Sequence, residues 1–451
     1  MGASLTDADR FPLLTEAGRR LLTRLREHPH APRWNFCCGE RLSEAGLGRV
    51  RAYGEALRTG RTGWRPGEVP GWVREHVARC RRESPFYRRH LAGAGDDFFA
   101  LPTTGREHLH REPWAFVPDG ADLSELIAYT TSGTTGERLL LPAHPEAPAR
   151  YLPLYEAALA ARGVRLVGGE RLTLVHAASQ RQTLTYPSVM SYFGSAGFAK
   201  VNLNLGEWRS PADPVRFLEG SPECYTGDPV SFAALARLPV AAPRALISTG
   251  AALLHGLRRH LEGRFGCPVL DLYSLNECGP VGCDTGDGHE LLPHDLFVEV
   301  LDAEGRPCPP GVRGEITVTG GVNPYLPLVR YRTDDVAALD HAGPVPRLLG
   351  LEGRRPIVFR AASGGLFNSL DVSTTLRDLP LPLLSLQQRA DGSLRFRTRC
   401  DAAVAAEAEE RLRELFGGLP LETEQILEGD AWDNKLIQYQ SDVAPEAVLS
   451  S

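Results

Sequence analysis

Apolar residues in the first seventy positions recur every three or four places, in LTEAGRRLLTRLREH (14–28) and LSEAGLGRVRAYGEALRTG (42–60), with arginines on the polar side. That period predicts two amphipathic helices, an N-terminal helical extension over residues 1–71 broken by Pro32 and the Trp34–Cys38 stretch. A further helical pattern runs from Trp72 to Leu91 and ends in Ser84-Pro85-Phe86-Tyr87. From about Leu126 the texture changes. Short apolar strands in RLTLVHA (171–177), PRALIST (243–249) and PVLDLYS (268–274) alternate with helical stretches such as LLHGLRRHLEGRFG (253–266). Such alternation predicts a mostly parallel sheet covered by helices on both faces. Within 294–320, HDLFVEV and GEITVTG flank a turn rich in Gly and Pro, which reads as paired strands and a β-rich subdomain. After Gly353-Arg354 the chain restarts with strands near PIVFRA and SLRFRTR and a helix at AAVAAEAEERLRELFGG (402–418). The expected fold class is α/β. A large domain over 72–352 holds mostly parallel sheets and the β-rich subdomain, and a small α+β domain occupies 353–451.

Composition narrows what this fold can serve. With 451 residues, 42% hydrophobic and 24% charged, the chain can bury more than one core. A formal net charge of -6 offers no basic field for nucleic acid or an anionic membrane, so neither is expected as a partner. No apolar run approaches the roughly 18 residues of a membrane span. The first residues also lack the basic-then-apolar layout of a signal peptide, so a cytoplasmic location is expected. Nine scattered cysteines fit free thiols in a reducing compartment. Of 50 basic residues only Lys200 and Lys435 are lysines, so either position is a candidate for needing a compact ammonium.

The sharpest local signal is Tyr129-Thr130-Thr131-Ser132-Gly133-Thr134-Thr135-Gly136. Its glycines free the backbone and its hydroxyls can bond phosphate oxygens, which makes a flexible anion cradle. Glu137 follows Gly136, so this is not the nucleotide loop that ends in Gly-Lys-Ser/Thr.

Set beside other ordered motifs, this loop resembles that of the adenylate-forming, acyl-activating superfamily, in its phenylacetate-CoA ligase-like branch. Ser84-Pro85-Phe86-Tyr87-Arg88-Arg89 is similar to that branch's early helix end, and Thr131 to Gly136 to its phosphate loop. Asp271-Leu272-Tyr273-Ser274-Leu275-Asn276-Glu277 resembles the motif whose aromatic packs on adenine and whose acid helps hold magnesium. Leu328 to Asp335 resembles the segment whose last Asp binds the ribose hydroxyls. Gly353-Arg354 falls at the hinge before a small mobile domain, and Asn434-Lys435-Leu436-Ile437 falls at the catalytic lysine. The resemblance implies that Thr131, Ser132, Gly133, Thr134, Thr135 and Gly136 hold phosphates. Thr249, Gly250, Ala251, Asp271, Tyr273, Ser274 and Asn276 bind AMP or ATP, with Asp335 and Arg354 on the ribose. Lys435 and Glu277 are implied as catalytic, Glu277 with Mg2+.

The chemistry suits those residue types. A carboxylate attacking the α-phosphorus of a nucleotide brings two anions together, so cations and oriented dipoles must compensate. A hard carboxylate oxygen suits Mg2+, which keeps much of its water. For the acid pocket the candidates are His176, Tyr186, Tyr192 and Phe193, while Lys200 reads as structural or substrate-facing.

Three departures shape the expected reaction. Glu137 and Arg138 stand where relatives carry Lys and Pro, leaving Arg138 to supply the charge. Cys283 and His289 match half of a zinc site, but Asp340 to Pro344 contains no cysteine, so no zinc is expected; His341 or His294 is the only rescue. Pro356 occupies the usual hinge residue and restricts a large swing, and Ala361 to Gly365 replaces a segment that helps receive CoA.

The leading expectation is ATP-dependent activation of a small carboxylic acid as an acyl-adenylate, followed by transfer to CoA or another acceptor nucleophile. An amide-forming ligase, an activator of a small oxyanion such as nitrite, and a catalytically inactive nucleotide-binding regulator stay open, as does a homodimer.

Overall fold

A computed structural model describes residues 5–60, 63–130, 139–292, 295–353, 357–426 and 438–442. Near the N-terminus, Thr15 caps the helix Glu16–Arg26 by accepting from Gly18 N at 3.0 Å. Leu21 and Leu25 on its inner stripe join a core with Val175, Ala199 and Val201. The helical extension is thus packed on the sheet that follows it in sequence. The Trp72 to Leu91 pattern resolves into two helices, Gly71–Glu83 and Pro85–His90. Ser84 leaves helical geometry between them (φ -91, ψ 123), and Pro85 opens the second.

Among the described residues, twelve strands form one sheet. At its centre Ala196–Asn202, Leu172–Ala178, Cys224–Gly227, Ala245–Thr249 and Val269–Leu275 run parallel. Alternate residues of these strands feed two cores. Val175, Leu246 and Val269 meet the helices Pro229–Ala236 and His255–Phe265 on one face. Leu174, Ile247 and Leu270 meet the helix Tyr151–Ala160 on the other. The strand Tyr186–Met190 closes one edge antiparallel. Beyond Val269–Leu275 the sheet continues antiparallel through Gly279–Asp284, His289–Leu291, Arg347–Glu352, Leu328–Asp340, Arg313–Gly320 and Leu296–Leu301. The β-rich region is therefore the second half of the same sheet, joined by the turn at Asn276–Cys278.

A four-stranded sheet follows, with Leu384–Gln388 and Leu394–Thr398 paired antiparallel and flanked by Tyr439–Ser441 and Leu421–Gln425. The helices Ser369–Leu376 and Ala402–Leu415 share a core with it around Leu386, Phe396, Leu412 and Phe416. Gly256 sits where an added Cβ would stand 2.3 Å from the backbone of Asp378 and Leu379, and its amide donates to Arg377 O at 2.9 Å. This C-terminal part thus caps the start of the helix His255–Phe265, whose own N-cap, Leu254, has no side chain to do so.

Candidate active site

Each central strand ends toward one edge of the parallel half, the edge where open α/β sheets bind ligands. Thr249 closes its strand, and Gly250 turns the chain with φ +79, a conformation that disfavours any side chain. Thr249 is half-buried, and Gly250 and Ala251 are exposed. Asp271, in register with Ser248, is buried; it accepts from Leu253 N at 3.4 Å and lies 3.7 Å from His289 Nε2. It ties down the turn after Ala251.

Two residues farther on, the Tyr273 hydroxyl donates to Asp335 Oδ2 at 2.7 Å. Four strand steps separate their strands, which in a flat sheet would be about 19 Å. The bond therefore requires the antiparallel half to curl over the end of the parallel half. A bulge aids this. Glu315 pairs with Val336 but Thr317 with Arg332, so residues 333–335 lie opposite Ile316 alone, two more than regular pairing allows, and Asp334 takes φ +65. Burial, and then the neighbouring Asp335 carboxylate, push the Tyr273 phenol well above its ordinary value, so it stays a donor. A Cβ added at Gly353 would stand 3.5 Å from Asp335 Oδ1, which brings the chain just before Arg354 beside this carboxylate.

Glu277 lies in the turn that joins the two halves and is only 7% exposed. Its Oε1 accepts from the Tyr331 hydroxyl at 3.2 Å and stands 3.7 Å from Arg106 Nη1. Oε2 has no hydrogen-bond partner among the described residues. Ser274 is half-buried nearby, and Asn276 is exposed.

On the face covered by the helix Tyr151–Ala160 lies a second cluster. His176 pairs in register with Lys200 on one side and Thr226 on the other, and its Nδ1 meets Thr226 Oγ1 at 3.0 Å. Tyr186 stands opposite Lys200 across the antiparallel edge. Burial, then the Lys200 charge, push the His176 imidazole down to about 4, so it is neutral near pH 7. Tyr192 and Phe193 engage another neighbourhood. The Tyr192 hydroxyl donates to Glu156 Oε2 at 2.6 Å, and with Arg51 and Arg58 these residues line a 230 Å3 depression against the N-terminal helices. The structure thus brings His176 and Tyr186 together and sets Tyr192 and Phe193 apart from them.

Thr131 to Gly136, Glu137, Arg138, His294, Arg354, Pro356 and Lys435 lie outside the described residues. Tyr129 and Thr130 lead into the phosphate-loop segment on the strand Ile127–Thr130. Among the described residues no group of three or more His, Cys, Asp or Glu could hold a metal ion. Burial pushes the Cys283 thiol up to about 12, and His341 is engaged with Trp64 O at 3.0 Å. A cleft of 690 Å3 beside the helix Gly71–Glu83 contains none of the expected site residues. Among the described residues, no helix is long and apolar enough to cross a membrane.

Two residues around Glu277 went unassigned in the sequence. Tyr331 sits inside the Leu328 to Asp335 motif, so its register beside an acid was a usable signal. Arg106 belongs to the short helix Arg106–Arg111, and no pattern in the chain marks it.

Residues 167–323 match the AMP-binding enzyme family. Phenylacetate-coenzyme A ligase of Pseudomonas putida is 37% identical over 106 residues, 22% of this chain and 24% of that protein. The enzyme of the same name from Escherichia coli (strain K12) is 25% identical over 296 residues, 59% of this chain and 65% of that protein. The chain therefore spans less than two thirds of either relative. A crystal structure of 2-hydroxyisobutyryl-CoA ligase in the postadenylation state, in complex with R3-HIB-AMP, aligns with a TM-score of 0.60 at 18% identity, covering 83% of this chain and 88% of that one. That likeness speaks to the fold, and the α/β architecture expected from the sequence is the one found.

Proposed function

We propose, from the premise that this chain is a phenylacetate-CoA ligase-like member of the adenylate-forming superfamily, that it activates a small carboxylic acid with ATP. One carboxylate oxygen attacks the α-phosphorus, pyrophosphate leaves, and an acyl-adenylate remains. An acceptor nucleophile then attacks the acyl carbon and releases AMP. The observation that supports this reading is the pair of carboxylates, Glu277 in the turn joining the two halves of the sheet and Asp335 on the bulged antiparallel strand, each held by a tyrosine hydroxyl.

Tyr273 offers its ring to adenine and fixes Asp335 through its hydroxyl, and Asp335 is assigned to the ribose hydroxyls. Thr249 to Ala251 supply the turn against which the base lies. The donor set at Glu277 fits a divalent cation, because Tyr331 and Arg106 orient one carboxylate oxygen and leave the other free for a hard ion. Mg2+ bound there would offset charge on the phosphates. Thr131 to Gly136 are assigned to phosphates, Arg354 to ribose and Lys435 to bridging carboxylate and α-phosphate, on their motif positions alone. We read the chain as a helical extension to residue 71, a large domain to 352 and a small domain beyond. The separate core around Phe396 supports the last division. CoA is one acceptor and an amine another.

A pyrophosphate-release screen over aryl, amino and short aliphatic acids, with Lys435→Ala as control, tests the reading. Acid-dependent release that the substitution removes is expected. Release independent of acid, or unchanged by the substitution, would overturn it.

A further inference from the structure

Several half-buried arginines of this protein have carboxylate partners. Arg150 meets Glu146, Arg258 meets Asp284 and Arg313 meets Glu352. Lys200 differs from these. It lies on an interior strand, flanked by the fully buried Ala199 and Val201, yet is itself only half-buried, as are His176 beside it and Tyr186 opposite. Their residual exposure leaves all three accessible on this face of the sheet. Among the described residues Lys200 has neither a carboxylate partner nor a hydrogen bond. Burial accordingly holds its ammonium below the usual lysine range.

The surroundings complete a receptor. His176, neutral and held through Nδ1 by Thr226, keeps Nε2 without a partner among the described residues. Phe36 of the N-terminal segment lies 5.6 Å from the Tyr186 ring and walls the outer side. Asn35 holds that wall in place, donating to Thr183 O at 2.9 Å and accepting from Thr185 N at 2.8 Å. Cys38, the neighbour that Lys200 senses, is a thiol whose ionisation burial opposes, so it is not a counter-ion.

Position decides which end of a substrate meets this ammonium. Lys200 stands three strand steps, about 14 Å, from the strand that ends in Thr249. The reacting carboxylate belongs near the nucleotide, so Lys200 faces the far end of the acid. We propose that Lys200 receives a second carboxylate there, so that the acid this site takes is a dicarboxylic acid, closed in by the N-terminal segment. This rests on the adenylation reading for the other carboxylate. An anion would supply the charge partner that Lys200 lacks among the described residues, and a compact ammonium is a point charge suited to a single carboxylate.

Equilibrium binding by calorimetry, without ATP, separates the two ideas. The probes are 4-carboxyphenylacetate and phenylacetate, titrated into the full chain and into Lys200→Met, with circular dichroism to confirm that the variant folds. The dicarboxylate is expected to bind about tenfold or more tightly than the monoacid, with that preference lost in Lys200→Met and partly kept in Lys200→Arg. Equal binding of both acids to the unsubstituted chain, or a preference that survives Lys200→Met, would overturn the proposal. Pyrophosphate release from the same samples with ATP reads the first reaction independently. A binding preference without release refutes adenylation and leaves Lys200 as an anion receptor; release without preference refutes only the role of Lys200.

Discussion

In the parallel half of the sheet, strand register sets His176 between Lys200 and Thr226. The antiparallel half instead brings up two carboxylates, Glu277 from the joining turn and Asp335 from the bulged strand, each under a tyrosine hydroxyl. The first half holds its residues chiefly by strand register, to which the His176–Thr226 contact is added, and consecutive parallel strands place them in a row. The second half must curl to bring its residues home, and spends buried polar contacts on doing so. What differs is where the precision comes from: regular pairing in one half, individual side chains in the other.

The largest effect is expected inside the antiparallel half. Arg330, 2% exposed, reaches Glu299 at 3.2 Å and donates to Phe99 O and Leu101 O at 2.7 and 2.6 Å. Arg330→Met would strand a buried carboxylate and should cost about 3–5 kcal/mol in urea unfolding. The double variant Arg330→Met with Glu299→Leu should recover much of that loss. A single variant within 1 kcal/mol or so of the unsubstituted chain would show that the anchor is dispensable.

At the joining turn, Glu277→Gln keeps size and hydrogen-bonding shape but removes the charge. It should lower acid-dependent pyrophosphate release about a hundredfold or more. No parallel-half substitution that spares Lys200 and Thr249 should match this in the same assay.

The N-terminal segment sharpens the comparison through pH. Glu40 accepts from Ser191 N at 3.0 and 3.2 Å, and burial pushes its carboxyl up to about 7. The folded state then holds this proton more tightly than the unfolded chain, whose value is near 4.5. Its contribution is favourable below that value and is lost as pH rises through about 7. Glu40→Gln should therefore raise stability at pH 8 by roughly 2 kcal/mol and change little at pH 4.5, read from urea curves at both.

The smallest effect belongs to one hydrogen bond. Tyr273→Phe keeps the ring for adenine and frees Asp335, so AMP affinity should weaken by about 1 kcal/mol, near fivefold, with little change in melting temperature. A larger loss of stability than of affinity would make Tyr273 a packing residue.

The parallel half was legible because RLTLVHA, PRALIST and PVLDLYS are continuous apolar runs, and strands buried on both faces must read that way. The antiparallel strands were visible too, but their joining into the same sheet was not. The curl is aided by the bulge at 333–335, which does not alter local periodicity. Tyr192 and Phe193 looked like pocket aromatics because they follow Tyr186 closely. The turn at Ser191–Phe193 carries them toward Glu156 instead. Lys200 was conspicuous only through the scarcity of lysine; its neighbours Phe36 and Cys38 come from more than a hundred and fifty residues away in sequence, which no local pattern conveys.

The most direct test of the central claim follows an oxygen atom. With an acid labelled with oxygen-18 in its reacting carboxylate, ATP and an acceptor, attack on the α-phosphorus leaves one labelled oxygen in AMP after transfer. Label in AMP, dependent on Glu277 and Lys435, is the expected result. Label appearing in inorganic phosphate alongside ADP, or AMP formed without label, would contradict it.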